Sequence, residues 1–231
     1  MTPSIRVYEK VGGPPCSTPQ EPWTVERHEL GHFYDKAADF ALEVLGEGNG
    51  RSCLVIGSPI FEAEELAEHG WKVTYLDIRE PVIPEVIEYV KGNACDIPFA
   101  DESFDAISST CVLCHVGLGR YGEEAWKNGE MLMMSEMSRV LKPDGRIALM
   151  AGPTADGDSV LVIGSVHRVL PPRVMEWMAN EVGFTVARTR IYSGTDSDWH
   201  ENEGAIGADV TNPDYICVEL TKGASTCLQV T

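Results

Sequence analysis

Hydrophobic positions along this chain change period several times, and each change marks an element. Phe33, Ala37, Phe40, Ala41, Val44 and Leu45 recur at helical spacing, with Thr24 placed as an N-cap and Gly46 as the stop, which predicts an amphipathic helix over residues 24–45. The apolar run 53–56 then reads as a buried strand closed by Gly57, and residues 61–68 read as a helix ended by Gly70. A second strand over 72–76 is closed by Asp77, and a short helical stretch over 84–90 follows it. A third strand over 91–94 is weakly marked, whereas a fourth over 104–109 is clear. A helix over about 124–141, a turn over 142–145, a fifth strand over 146–151 and a helix over 173–182 continue the alternation. Strands alternating with helices imply an α/β domain built on a parallel sheet covered on both faces. Residues 185–192 and 215–221 are two strand patterns with no helix between them, which suits an antiparallel pair at a sheet edge.

The flanks differ from this pattern. Residues 1–22 are rich in Pro and Gly without any period and read as an arm, and residues 223–231 read as a loose tail. Between them one domain over 23–222 is expected, with its first helix (23–46) acting as a lid and the folded core beginning after it, near Gly48.

Composition narrows the class. With 231 residues and 43% of them hydrophobic, the chain can bury one sizeable core. No stretch reaches the ~18 uncharged apolar residues of a membrane helix, and the start, MTPSIRVYEK, lacks the apolar segment of a signal peptide, so a cytoplasmic protein is expected. Thirty-six acidic against 18 basic residues give a net charge of −18, which repels nucleic-acid phosphates and anionic membrane surfaces. A small-molecule substrate is the expected partner, and a homodimer is left open. The seven cysteines, at 16, 53, 95, 111, 114, 217 and 227, are odd in number and several sit in apolar runs, which argues against a disulfide framework.

Open parallel sheets bind ligands at the carboxyl ends of their strands, where backbone groups and one acid can hold a nucleoside. Gly57 closes the first strand, Asp77 closes the second, and 20 residues separate them, the ~20 expected between a glycine turn and a ribose-binding acid. By themselves these are also ordinary turn residues. The segments VKGNACDIPFADESFDAISSTCVL (90–113) and EMSRVLKPDGRIALM (136–150) carry more. They resemble the central and late motifs of class I S-adenosylmethionine-dependent methyltransferases, and the resemblance covers residues 53–184. It implies a Rossmann-like fold, a seven-stranded and mostly parallel sheet with an antiparallel C-terminal strand, and S-adenosylmethionine as cofactor. It also implies that Asp77, with Ile78 beside it, meets the ribose, that Asn93 and the Ala94 amide meet the adenine, and that Ser109 and Thr110 face the methionine part. Gly57 and Ser58 would line the glycine turn. That turn reads Gly57, Ser58, Pro59, Ile60, Phe61, so only the first of the family's glycines is present. Pro59 and Phe61 are expected to crowd the cofactor, leaving the Ser58 hydroxyl and amide and the first helix to supply the missing contacts.

Two other motifs compete. His28–His32 spells HELGH, which on a helix can bind zinc for a metalloprotease, but Glu26 precedes it and no HxxGxxH continuation follows. No metal is expected there; the helix is read as a cap whose His, Phe33 or Tyr34 touch substrate. Cys111–His115 spells CVLCH, a haem-attachment or dithiol pattern. Haem attachment requires export, and a dithiol lacks the expected neighbouring aromatic, so packing at the end of the fourth strand is the reading taken.

Methyl transfer needs alignment of the nucleophile, exclusion of water and, for a hydroxyl or ammonium, removal of a proton. His115 with Arg120 and Tyr121, and His167 after the fifth strand, are the candidates for that chemistry. Each has a structural alternative as a hydrogen-bonding or ion-pairing residue. The acidic segment 194–214 reads as a solvated loop that could flank a cationic substrate. A protein that keeps the fold without the reaction, binding a ligand or a partner chain, is the alternative function.

Overall fold

Four consecutive apolar residues divide between two layers: Cys53 and Val55 enter one hydrophobic cluster, Leu54 and Ile56 the other. A strand buried on both faces is what a central position in a parallel sheet demands. The structure is a computed structural model and describes residues 8–10, 32–155, 157, 160–163, 167–193, 198–201 and 214–223. The chain runs β1 (Tyr8–Lys10), α1 (His32–Leu45), β2 (Ser52–Ile56), α2 (Ile60–Glu68), β3 (Lys72–Asp77), β4 (Glu88–Lys91), β5 (Phe104–Thr110) and α3 (Gly129–Val140). It continues through β6 (Leu141–Thr154), β7 (Leu161–Ile163), β8 (His167–Val169), α4 (Pro172–Glu181), β9 (Phe184–Tyr192), β10 (Trp199–Glu201) and β11 (Asp214–Lys222).

The main sheet has the order β10-β9-β11-β6-β5-β2-β3-β4. From β4 to β6 every pair is parallel, and β11 enters antiparallel between β6 and β9. The described residues thus form eight strands rather than the expected seven. The extra one, β10, pairs with β9 inside the segment read as a loop. Trp199 holds it there, its ring 5.4 Å from Tyr192, 6.0 Å from Phe40 and 4.8 Å from the Arg190 guanidinium carbon. A second, small sheet, β1-β7-β8, includes three residues of the segment read as an arm; β8 carries His167.

Two elements depart from their predicted form. The stretch 84–90 is not helical; turns lead into β4, which pairs with β3 from Thr74↔Glu88 to Asp77↔Lys91. Pro81 and Pro84 interrupt any helix there, and the buried Ile87 anchors the extended chain. The third strand therefore ends before Asn93 and Ala94, which fall in the turn after it. The helix ahead of β6 begins at Gly129, later than expected, and the 142–145 turn is absorbed into β6 as a register shift, with Asp144 at φ 62°.

The six apolar residues predicted for the first helix are all buried on α1, packed against Cys53, Val55, Ala106, Ala148 and Met150. Gly46 ends it at φ 63°, its amide bonded to the Leu42 carbonyl. So α1 forms part of one of the two core layers, together with Ala63 and Leu66 of α2, which overturns the expectation that the core begins near Gly48. The predicted cap at Thr24, the HELGH residues 28–31 and most of the acidic segment lie outside the described residues. On the opposite face, α3 and α4 pack Met133, Met137, Val174 and Met178 over Leu54, Ile107 and Leu149.

Candidate active site

Strands β2, β3, β4 and β5 end side by side, and at those ends lies a cavity of about 530 Å³. That volume is in the ~300–1,000 Å³ range of small-molecule sites. Its floor comes from residues that follow each strand: Gly57, Asp77 to Arg79, Gly92 to Ala94, and Thr110 to Val112. The walls are the loop after β5, Tyr34 of α1 and His167 of β8. Of the predicted site residues, Gly57, Asp77, Ile78, Asn93, Ala94, Thr110, His115, Arg120, Tyr121 and His167 line this one cavity. Ser58 and Ser109 do not; both are fully buried behind it.

The turn after β2 is tight at its first residue. Gly57 sits at φ 58°, and a Cβ there would lie 2.8 Å from Val112 Cγ2. Beyond it the chain enters α2 directly, and neither Pro59 nor Phe61 lines the cavity; Phe61 is turned into the protein. The expected crowding is therefore absent. The Ser58 hydroxyl accepts the Thr110 amide at 2.8 Å and lies 3.4 Å from the Ile56 carbonyl, so it ties β2 to β5 instead of facing a ligand. Ser109 donates to the same Ile56 carbonyl at 3.2 Å. Below them Glu62 accepts hydrogen bonds from Ser108 and Thr110, each at 2.6 Å. Burial pushes its carboxyl up despite these donors. Sequence reasoning missed Glu62, whose helical position among other acids marks nothing.

Asp77 ends β3 with its carboxylate engaged. The Arg79 amide and Nε donate to Oδ1 at 2.8 and 3.2 Å, and Nη2 donates to Oδ2 at 3.0 Å. Arg79 in turn lies 4.5 Å above the Tyr121 ring, and Arg120 lies 5.3 Å from the same ring. The signal for Arg79 was its place two residues after a strand-ending Asp, where such turns close on the side chain. Asn93 spends Oδ1 on the Cys95 amide at 2.9 Å.

On the far wall Arg120 Nη1 is 3.0 Å from His115 Nδ1. A guanidinium only donates, so Nδ1 accepts and the ring proton of His115 sits on Nε2. The His167 ring is 4.7 Å away, and its Nδ1 is buried without a hydrogen-bond partner among the described residues. Arg168 locks this corner: its amide donates to the Cys114 carbonyl at 2.7 Å, its side chain to the Val116 carbonyl at 2.5 Å, and Nε pairs with Glu130 at 3.0 Å. Burial pushes the Tyr121 hydroxyl up against the pull of both arginines, which keeps it a proton donor. Among the described residues no three His, Cys, Asp or Glu side chains are placed to hold a metal ion.

The strand order and the antiparallel β11 are those of the class I methyltransferase fold. Residues 56–149 match the family model described as a methyltransferase domain. Over 97 residues the chain is 33% identical to the biotin biosynthesis bifunctional protein BioHC of Cellvibrio japonicus; the match takes in 39% of this chain and 17% of that protein's length. The fold is similar to 1,6-didemethyltoxoflavin-N1-methyltransferase of Burkholderia thailandensis, solved with its substrate and S-adenosylhomocysteine. That likeness has a TM-score of 0.61 at 14% identity, covering 82% of this chain and 78% of that one. It is equally similar to the [4+2]-cyclase SpnF, with a TM-score of 0.61 at 13% identity over 91% and 88% of the two chains.

Proposed function

We propose that this chain binds S-adenosylmethionine in the cavity and transfers its methyl group to an oxygen or nitrogen of a small-molecule acceptor in the cytoplasm. What supports the reading most is that Gly57 and Asp77, at the ends of adjacent strands, share one cavity with the histidine pair. The cofactor, when bound, supplies an electrophilic methyl on a sulfonium. Asp77 takes the ribose hydroxyls in exchange for part of its contact with Arg79, and Ile78 flanks the ribose. Asn93 and the Ala94 amide meet the adenine, and Gly57 and Thr110 meet the methionine part. Ser58 and Ser109 hold this wall from behind. Tyr121 donates to the acceptor, and Arg120 orients His115. His167, which lines the cavity, takes the acceptor's proton, because Nδ1 of His115 is already occupied by Arg120. The net charge of −18 supports a small molecule over nucleic acid as substrate.

A second reading, ligand binding without transfer, is favoured by one observation: Arg79 already occupies both oxygens of Asp77. A thermal-shift titration tests the binding that both need, and a turnover assay separates the two. Both S-adenosylmethionine and S-adenosylhomocysteine are expected to raise the melting temperature, since each binds only the folded state. Incubation with S-adenosylmethionine and a panel of small amines and phenols should then produce S-adenosylhomocysteine. No shift with either compound sinks the transferase reading.

A further inference from the structure

We propose that Cys111 and Cys114 form a redox-active dithiol in the wall of the cavity, oxidised by low-molecular-weight disulfides to an intramolecular disulfide that weakens ligand binding. The motif was read as packing from the sequence, and three placements argue otherwise. Cys111 lines the cavity, half-buried, in the left-handed region at φ 59° immediately after β5. Cys114, buried behind it, has its sulfur 3.4 Å from the Cys111 carbonyl and in hydrogen-bond contact with the Cys111 thiol. His115 and His167 also hydrogen-bond the Cys114 sulfur, and both line the cavity.

The other described cysteines lack this arrangement: Cys53 and Cys217 are fully buried, Cys95 nearly so, and none lines the cavity. The aromatic neighbour missing from the sequence motif is supplied in space, where Tyr34 and Tyr215 both lie close enough to feel the two thiols. Burial raises the Cys114 thiol, but hydrogen bonds from Cys111, His115 and His167 outweigh it and hold the group below the usual thiol range. Its hydrogen bond to Cys114, together with burial, pushes the Cys111 thiol up.

The chemistry balances with an external disulfide RSSR as the sole oxidant. Cys111 gives its proton to solvent and attacks one sulfur of RSSR through the cavity; the Cys111–SR bond forms and the RS–SR bond breaks. The departing thiolate takes the proton from Cys114. The Cys114 thiolate then attacks Cys111 Sγ, the Cys111–Cys114 bond forms, and a second thiolate leaves and is protonated by solvent. Two cysteine thiols are oxidised and one external disulfide is reduced to two thiols. The Cys114 sulfur becomes half of a disulfide, a poorer hydrogen-bond acceptor, so His115 and His167 lose the acceptor they share. Oxidation thus reaches the two rings of the cavity wall that the proposed reaction depends on.

The full chain, reduced and freed of reductant, would be titrated with glutathione disulfide, alkylated, digested and mapped by mass spectrometry. The expected product is a Cys111–Cys114 disulfide with Cys53, Cys95 and Cys217 still reduced. In Cys114→Ser, a stable mixed disulfide should remain on Cys111; in Cys111→Ser, no adduct should form on Cys114. Thermal melts show first that each variant is folded, and Cys111→Ala and Cys114→Ala replace any that is not. A wild-type map without the 111–114 bond, or an adduct on Cys114 in Cys111→Ser, overturns the dithiol. Calorimetry with S-adenosylhomocysteine should give affinity on the order of tenfold weaker for the oxidised protein, restored by dithiothreitol, as expected when the new bond displaces Cys111 in the cavity wall and costs the ligand about one hydrogen bond. Equal affinities with the disulfide in place overturn its coupling to the cavity. Only this binding measurement rests on the proposed function: if neither form binds, that reading fails while the thiol map still decides the dithiol.

Discussion

Asp77 concentrates the chemistry of the site in one side chain. Its carboxylate, 7% exposed, is held by three donors from Arg79 at the point where the proposed ribose would bind. Removing it has two effects of the same sign: two charge-assisted hydrogen bonds to the ligand are lost, and the Arg79 guanidinium is left without its counter-charge. Asp77→Ala is therefore expected to weaken S-adenosylhomocysteine by on the order of tenfold or more in calorimetry. Unchanged affinity would remove Asp77 from the site. Gly57 was legible for a different reason: a glycine closing a buried strand reports a backbone conformation, and the observed φ of 58° with Val112 Cγ2 only 2.8 Å from where a Cβ would lie disfavours other residues. Ser58 and Ser109 were legible as positions but not as orientations. A one-residue step along an extended chain turns a side chain from the cavity to the core, and the sequence does not say which way a turn delivers it.

At the scale of elements, Asp105 joins β5 to its neighbours. It accepts from the Ser52 amide at 2.9 Å and hydroxyl at 2.7 Å, and pairs with Lys142 at 2.9 Å. Burial works against its charge, yet the hydrogen bonds from Lys142 and Ser52 prevail and lower its carboxyl from 3.8 to about 2. A depressed acid stabilises the fold above its unfolded value and ceases to do so as pH falls through its folded one. Asp105→Asn is accordingly expected to cost about 1–2 kcal/mol at pH 7, allowing for partial exposure. Urea melts should show that difference shrinking between about pH 4 and pH 2; a difference independent of pH there would contradict the assignment. Helix α1 makes a stronger demand. Because Phe40, Ala41 and Val44 are each at most 2% exposed against the sheet, a chain beginning at Gly48 uncovers much of one core layer. Circular dichroism on that shortened chain should show no cooperative melt, and a sharp transition would restore α1 to the role of a cover.

For the molecule as a whole, the charge of −18 sets the response to salt. Described arginines are drawn into local pairs, Arg139 with Glu136 and Asp101, and Arg188 and Arg190 with Glu43. Such pairs leave the excess of acids uncompensated, and their mutual repulsion acts over about a Debye length, ~10 Å at 0.1 M salt. The melting temperature at neutral pH is expected to rise by a few degrees between about 10 and 150 mM sodium chloride as that repulsion is screened. A fall over the same range would mean that the surface pairs, which salt also weakens, dominate instead.

The period of the hydrophobic pattern was sufficient for most of the fold, because burial of both faces of a central strand and one face of a helix imposes its period locally on the chain. Strands β2, β3, β5 and β6, the helix ahead of β6 and the antiparallel pair β9 and β11 could all be read in this way; the cavity residues were reached instead from their places beyond strand ends and from the resemblance of 90–113 and 136–150 to methyltransferase motifs. What the pattern could not carry were relations between distant segments. That Trp199 closes β10 onto β9, that 84–90 extends along β3 rather than coiling, and that α1 lies in the core depend on surfaces far apart in sequence. The same holds for the site: the approach of Arg79 to Tyr121 and the meeting of His115 with His167 across 52 positions arise only when the strand ends are brought together. Periodicity records which side of an element is buried, whereas chemistry depends on which side chains from different elements meet, and that is decided by tertiary packing.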